Sequence, residues 1–244
     1  MSNLIQRLLL FSIFTLPLSQ ITVKTEEETF RKIASNEMPS SPYEYRYSFS
    51  NYSVSIKQEE DRIFLYVDFL DETEKRTYKS WQWDAINQSY IESNDEESIF
   101  AIILRSEENN NSSDTADIWL WRAFMSDPAE LAEDFYAIIK NNRISKLERD
   151  AGALCWEPIY YENFKGEKLP RFKHKTPSGS YADVSAKGIW KDGHWKIIFS
   201  RKLNTEHPDD IVLEKNKKYS FFFCVTKEKI LNFSDLDKIT ITIR

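Results

Sequence analysis

Glycine is scarce in this chain, five in 244 residues. None stands in a G-x-G-x-x-G or G-x-x-x-x-G-K-[ST] pattern, so neither phosphate-cradling loop is present. A G-x-S-x-G elbow and an H-E-x-x-H zinc motif are missing too, and no acid–base or nucleophile set can be assembled, so the chain is read as a non-enzyme. Only two cysteines occur, Cys155 and Cys224. Without C-x-x-C or C-x-x-C-H there is neither a zinc knuckle nor a covalent c-type haem attachment. Cationic charge is not in excess either: 33 Lys and Arg against 39 Asp and Glu give a formal charge of -6. With no basic stripe to follow a phosphate backbone, nucleic acid is not an expected partner.

The longest apolar run, Leu8 to Leu18, follows Arg7 and is too short to span a bilayer. It has the form of a secretory signal peptide over residues 1–20, with an uncleaved anchor as the alternative. Export, to a periplasm or beyond, is the expectation, with no membrane span in the mature chain. Residues 21–42 are polar, charged and closed by Pro42, and read as a flexible N-terminal arm. In an exported chain Cys155 and Cys224 could form a disulfide. Cys224 lies inside the apolar run Phe221 to Val225, where a buried free thiol is an equal alternative.

Aromatic residues are plentiful, with seven tryptophans, which favours a sheet core or a flat apolar ligand. The clearest local structure is Asp183 to Leu203, where two β-rich runs flank Asp192-Gly193. That pair suits a type I′ turn, because both central residues need positive φ. The turn pairs Lys191 with His194, Trp190 with Trp195, Gly188 with Ile197 and Ala186 with Phe199. One face then carries Val184, Ala186, Trp190, Trp195, Ile197 and Phe199, and is apolar.

Elsewhere Arg62 to Leu70 is apolar on both faces and reads as a central strand. Ala116 to Ala123 alternates Ile118 and Leu120 against Trp119 and Trp121, and Lys218 to Thr226 and Lys238 to Ile243 are further strands. Asp127-Pro128-Ala129-Glu130 has the form of a capping box, and Leu131, Phe135, Ile138 and Ile139 follow at helical spacing. A helix from Pro128 to about Lys140 is expected. The fold expected is all-β, an antiparallel β-sandwich with one short embedded helix, in one domain over residues 43–244.

The tryptophan pairs Trp81/Trp83, Trp119/Trp121 and Trp190/Trp195 admit two readings, a slot for a planar ligand or rings of a sheet core. Three histidines, His174, His194 and His207, are dispersed, and His194 beside Gly193 is a turn residue. Asp209-Asp210 offers oxygen ligands for a cation, against the plainer reading of a solvated turn.

Taken in order, RIFLYVDFLDETEKRTYKSWQW, the acidic Asn94 to Glu97, ADIWLWRA, DVSAKGIWKDGHWKIIFSRKL with Asp209-Asp210 after it, and YSFFFCVT resemble the haem-binding domain of ethylbenzene dehydrogenase γ subunits. Subunits of dimethyl-sulfide dehydrogenase and selenate reductase are related. The resemblance implies a periplasmic β-sandwich holding haem b between its sheets and passing electrons between redox partner proteins. It implies a methionine and a lysine, or a histidine, as axial ligands. Carried onto this chain, Lys229 or Lys227 would be one ligand, Met125 or His174 the other, and Trp119 and Trp121 would line the site. Leu120 stands where the family often has a histidine between its tryptophans, and the segment before Ala116 has neither Met nor Cys. These departures leave an alternative: a member without haem that binds another ligand or a protein.

Overall fold

A computed structural model describes residues 45–108, 114–141, 143–226 and 236–244. The expected signal peptide, the arm, and Lys227 and Lys229 lie outside the described residues.

Three antiparallel strands open the fold, β1 (Tyr45–Ser48), β2 (Tyr52–Glu59) and β3 (Arg62–Leu70), before a small hairpin of β4 (Trp81–Asp84) and β5 (Ser89–Glu92). A four-strand meander follows: β6 (Ile99–Ser106), β7 (Asp114–Arg122), β8 (Glu133–Lys140) and β9 (Arg143–Arg149). Short β10 (Trp156–Pro158), β11 (Lys168–Leu169) and β12 (Phe172–His174) precede the hairpin of β13 (Ser185–Lys191) and β14 (His194–Lys202). Finally come β15 (Lys218–Thr226) and β16 (Asp237–Thr242). A five-stranded sheet, β1-β2-β3-β14-β13, and a six-stranded one, β16-β15-β6-β7-β8-β9, form the sandwich, with β11-β4-β5 and β10-β12 as side sheets.

Alternation decides which residues go inside. On β3, Ile63, Leu65, Val67 and Phe69 are buried while their neighbours are half-exposed, and β3 sits at the centre of its sheet. The inward faces of β2, β3, β13 and β14 meet Phe100, Ile102 and Leu104 of β6, Trp119 and Trp121 of β7, and Phe221 and Phe223 of β15 in one core. Each such large side chain contributes about 1.5–3 kcal/mol by leaving water. A second apolar layer, with Ile103, Ile118, Ala137 and Ile139, covers the outer face of the six-stranded sheet.

The β13–β14 hairpin has the expected register throughout, Trp190 opposite Trp195 and Gly188 opposite Ile197. Asp192 at φ 53° and Gly193 at φ 80° meet the type I′ requirement. The expected helix does not form. Asp127–Ala129 make a single 3-10 turn that ends at Glu130 in the left-handed region, φ 58°. Residues Glu133–Lys140 then run as β8, paired with both β7 and β9. Phe135, Ala137 and Ile139 satisfy a two-residue period as well as Phe135 and Ile139 satisfy a helical one, and β7 supplies a strand edge that only an extended segment can pair.

Candidate functional site

The tertiary arrangement brings two of the expected ligand positions, Met125 and His174, to one end of the six-stranded sheet. Ile99 at the start of β6 pairs with Arg122 of β7 on one side and Thr226 of β15 on the other. The turn carrying Met125 therefore leaves the sheet at the end where β15 finishes. His174 on β12 reaches the same turn, with its Nε2 2.7 Å from the Phe124 carbonyl and its ring 5.4 Å from that of Phe124.

Glu97 shapes this turn. Its Oε2 accepts the N–H groups of Phe124 at 2.8 Å and Met125 at 3.0 Å, and its Oε1 takes Arg122 Nε at 2.8 Å. Burial pushes the Glu97 carboxyl up from its ordinary value, against the pull of Arg122 and the two backbone donors. Arg122 Nη1 also reaches Glu133 Oε2 at 3.4 Å, and Glu133 Oε1 accepts Trp156 Nε1 and Tyr181 Oη, each at 2.9 Å. Behind Met125, Cys155 Sγ lies 3.3 Å from the Met125 carbonyl and 3.1 Å from Tyr181 Oη. Burial pushes the Cys155 thiol up to about 11. Both cysteines are free, so the disulfide alternative is not realised.

Trp119 and Trp121 are fully buried in the sandwich interior. Trp121 packs edge-on against Trp195, ring centroids 4.8 Å apart, and donates its Nε1 to Asp127 Oδ1 at 3.0 Å. The same oxygen accepts the Gly188 N–H at 2.6 Å, and Asp127 Oδ2 accepts Arg76 Nη1 at 3.1 Å. Asp127 thus ties β7 to β13. Trp119 meets Phe221 at 6.2 Å, with the Arg201 guanidinium 5.5 Å over its ring.

Set against a haem, these residues do not fit. The space between the tryptophans and the facing sheet holds Phe69, Phe100, Trp195 and Phe199, all at 0% exposure. At Gly188 even an added Cβ would stand 2.4 Å from Trp121 Cζ2. Of the other two tryptophan pairs, Trp195 belongs to this same core with Trp190 packed against it, while Trp81 and Trp83 lie elsewhere, half-buried in the β11-β4-β5 side sheet, where Trp83 meets Tyr90 at 5.0 Å.

One cluster was not foreseen beyond its last member. Asp117 on β7, Asp134 on β8, Asp150 after β9 and Asp210 converge beside Arg201 of β14. Two of them carry a sequence signal, a carboxylate at an inward-facing strand position: Asp117 shares the face of Trp119 and Trp121, and Asp134 stands opposite Trp119, whereas Asp150 and Asp210 lie in turns and loops. Burial raises all four above the ordinary carboxylate range, Asp150 to about 8.

A family model described as ethylbenzene dehydrogenase matches residues 81–234, well over half the chain. No curated protein matches the sequence.

Proposed function

The chain belongs to the ethylbenzene dehydrogenase family, and on that premise we propose that it is an exported, non-catalytic β-sandwich subunit or module of a redox assembly, one that does not carry haem between its sheets. It would serve its assembly by binding, to a partner protein or to a ligand other than haem. The observation that supports this reading is the packing of the described interior: Trp121 lies 4.8 Å from Trp195, and even a Cβ added at Gly188 would stand 2.4 Å from Trp121 Cζ2. Leu120 in place of the family's histidine agrees with it. Export rests on the Leu8 to Leu18 run, and among the described residues no helix is long and apolar enough to cross a membrane.

A second reading is a haem b electron-transfer subunit, as in the family. One specific observation favours it: Met125 leaves β7 at the end where the chain leaves β15 towards Lys227 and Lys229. When bound, the haem would supply one-electron chemistry, its potential set by axial ligand and burial.

Purifying the protein from haem-replete cells and recording its absorption spectrum tests the two. A colourless preparation supports the first. A Soret band with b-type α and β bands, shifted by Lys229→Ala or Met125→Leu, overturns it in favour of the second.

A further inference from the structure

Three chain segments bring carboxylates into one buried pocket of charge. Asp134 comes from β8, Asp150 from the turn after β9, and Asp210 from the loop between β14 and β15; their ligand oxygens all lie within 4.8 Å of one another. The strand ladder sets part of this placement, since the Asp150 N–H donates to the Asp134 carbonyl at 3.2 Å. Exposure is 0% at Asp134 and 5% at Asp150, and the Asp210 side chain is fully buried.

Asp134 Oδ2 and both carboxylate oxygens of Asp150 accept no hydrogen bond. Oxygens so placed are costly to bury unless a proton or a cation meets them. The protein's own compensation is incomplete. Among the described residues, Arg201 is the guanidinium paired with the cluster: its Nη1 is spent on Asp117 Oδ2 at 2.8 Å and its Nη2 on the Ile211 carbonyl at 2.7 Å. Asp210 Oδ1 is left at 3.7 Å from Nη2. Asp209, next in the chain, turns outward to Ser180 Oγ at 2.7 Å and the Ala151 N–H. His207 and Asp183 on the far side of Asp210 already satisfy one another.

We propose that Asp134, Asp150 and Asp210 form a binding site for one hard divalent cation, of the Ca2+ class. The donor set is all carboxylate oxygen, with no thiolate or imidazole, which selects Ca2+, Mg2+ or Mn2+ over softer metals. Three protein carboxylates, with one oxygen of each within 4.8 Å of the others, suit Ca2+, which accepts many protein oxygens in a flexible geometry, better than Mg2+, which keeps several of its waters and is held by one or two carboxylates. Bound there, the ion would join β8, the end of β9 and the 203–217 loop. This inference is independent of whether the protein carries haem.

Isothermal titration of the chelator-treated protein with Ca2+, and separately with Mg2+, tests it. The expected result is one saturable Ca2+ site per chain, tighter for Ca2+ than for Mg2+, with a melting temperature that rises with Ca2+ concentration. Asp150→Asn should weaken Ca2+ binding about tenfold or more. It should leave the metal-free protein at least as stable, because the amide cannot take on the charge that burial there penalises. Asp134→Asn is the second variant, expected to weaken Ca2+ likewise if Asp150→Asn does not fold. No saturable Ca2+ binding to the folded wild-type protein, meaning a cluster that holds protons only, would overturn the proposal. So would Ca2+ binding unchanged in a folded Asp150→Asn or Asp134→Asn variant.

Discussion

Arg201 on β14 and Asp117 on β7 form an ion pair across the two sheets, Nη1 to Oδ2 at 2.8 Å, with both side chains at 0% exposure. Truncating one partner strands the other charge out of water. Arg201→Met is expected to cost about 3–5 kcal/mol in urea unfolding, whereas Arg201→Met with Asp117→Leu should recover much of that loss. A double variant no better than the single would show that the pair is not the unit of stability.

Gly188 is required by contact rather than by backbone conformation. An added methyl would meet Trp121 Cζ2 at 2.4 Å, and the ring cannot retreat while its Nε1 is held by Asp127. Gly188→Ala should destabilise by about 1–3 kcal/mol, lowering the melting temperature by several degrees. A melting curve like that of the wild type would mean that Trp121 has room to move.

The His207 imidazole is held above its ordinary value of 6.5 by its hydrogen bond to Asp183, with the charges of Asp183, Asp210 and Asp209 adding to it. A raised histidine favours the folded state below about pH 6.5, and that contribution fades as pH rises through the folded value. An NMR titration should give a midpoint above 6.5 that Asp183→Asn lowers. Insensitivity to that substitution would contradict the pairing.

Cys155 is buried beside Tyr181, with its thiol pushed up to about 11. Little thiolate forms at pH 8, so a thiol reagent should leave Cys155 unmodified in the native protein. In denaturant without reductant, two thiols per chain should react, as both cysteines are free. None reacting would show a disulfide.

The β13–β14 hairpin was legible because turn chemistry and period-two burial coincide within one stretch, and its register followed residue by residue. The central position of β3 was legible from two apolar faces. The segment Pro128 to Lys140 misled, because its capping pattern starts a 3-10 turn and its apolar spacing suits a strand equally well. For the candidate site, Trp119 and Trp121 were visible as a pair, but whether they line a slot or fill a core depends on Gly188 and Trp195, which the sequence sets far from them. The acidic cluster was hidden for the same reason. Asp117, Asp134 and Asp150 each stand in a different strand or turn, and only the β7-β8-β9 meander and the loop holding Asp210 bring them together.

The filled interior is tested most directly by titrating the purified protein with haemin while following tryptophan fluorescence and the Soret region together. Trp119, Trp121 and Trp195 are all fully buried in that interior, and a haem seated among them would quench their emission. The expected result is no saturable quenching and no Soret shift at one equivalent of haemin. Quenching that saturates at one haem per chain, with a b-type spectrum, would contradict the closed sandwich and restore haem as the occupant.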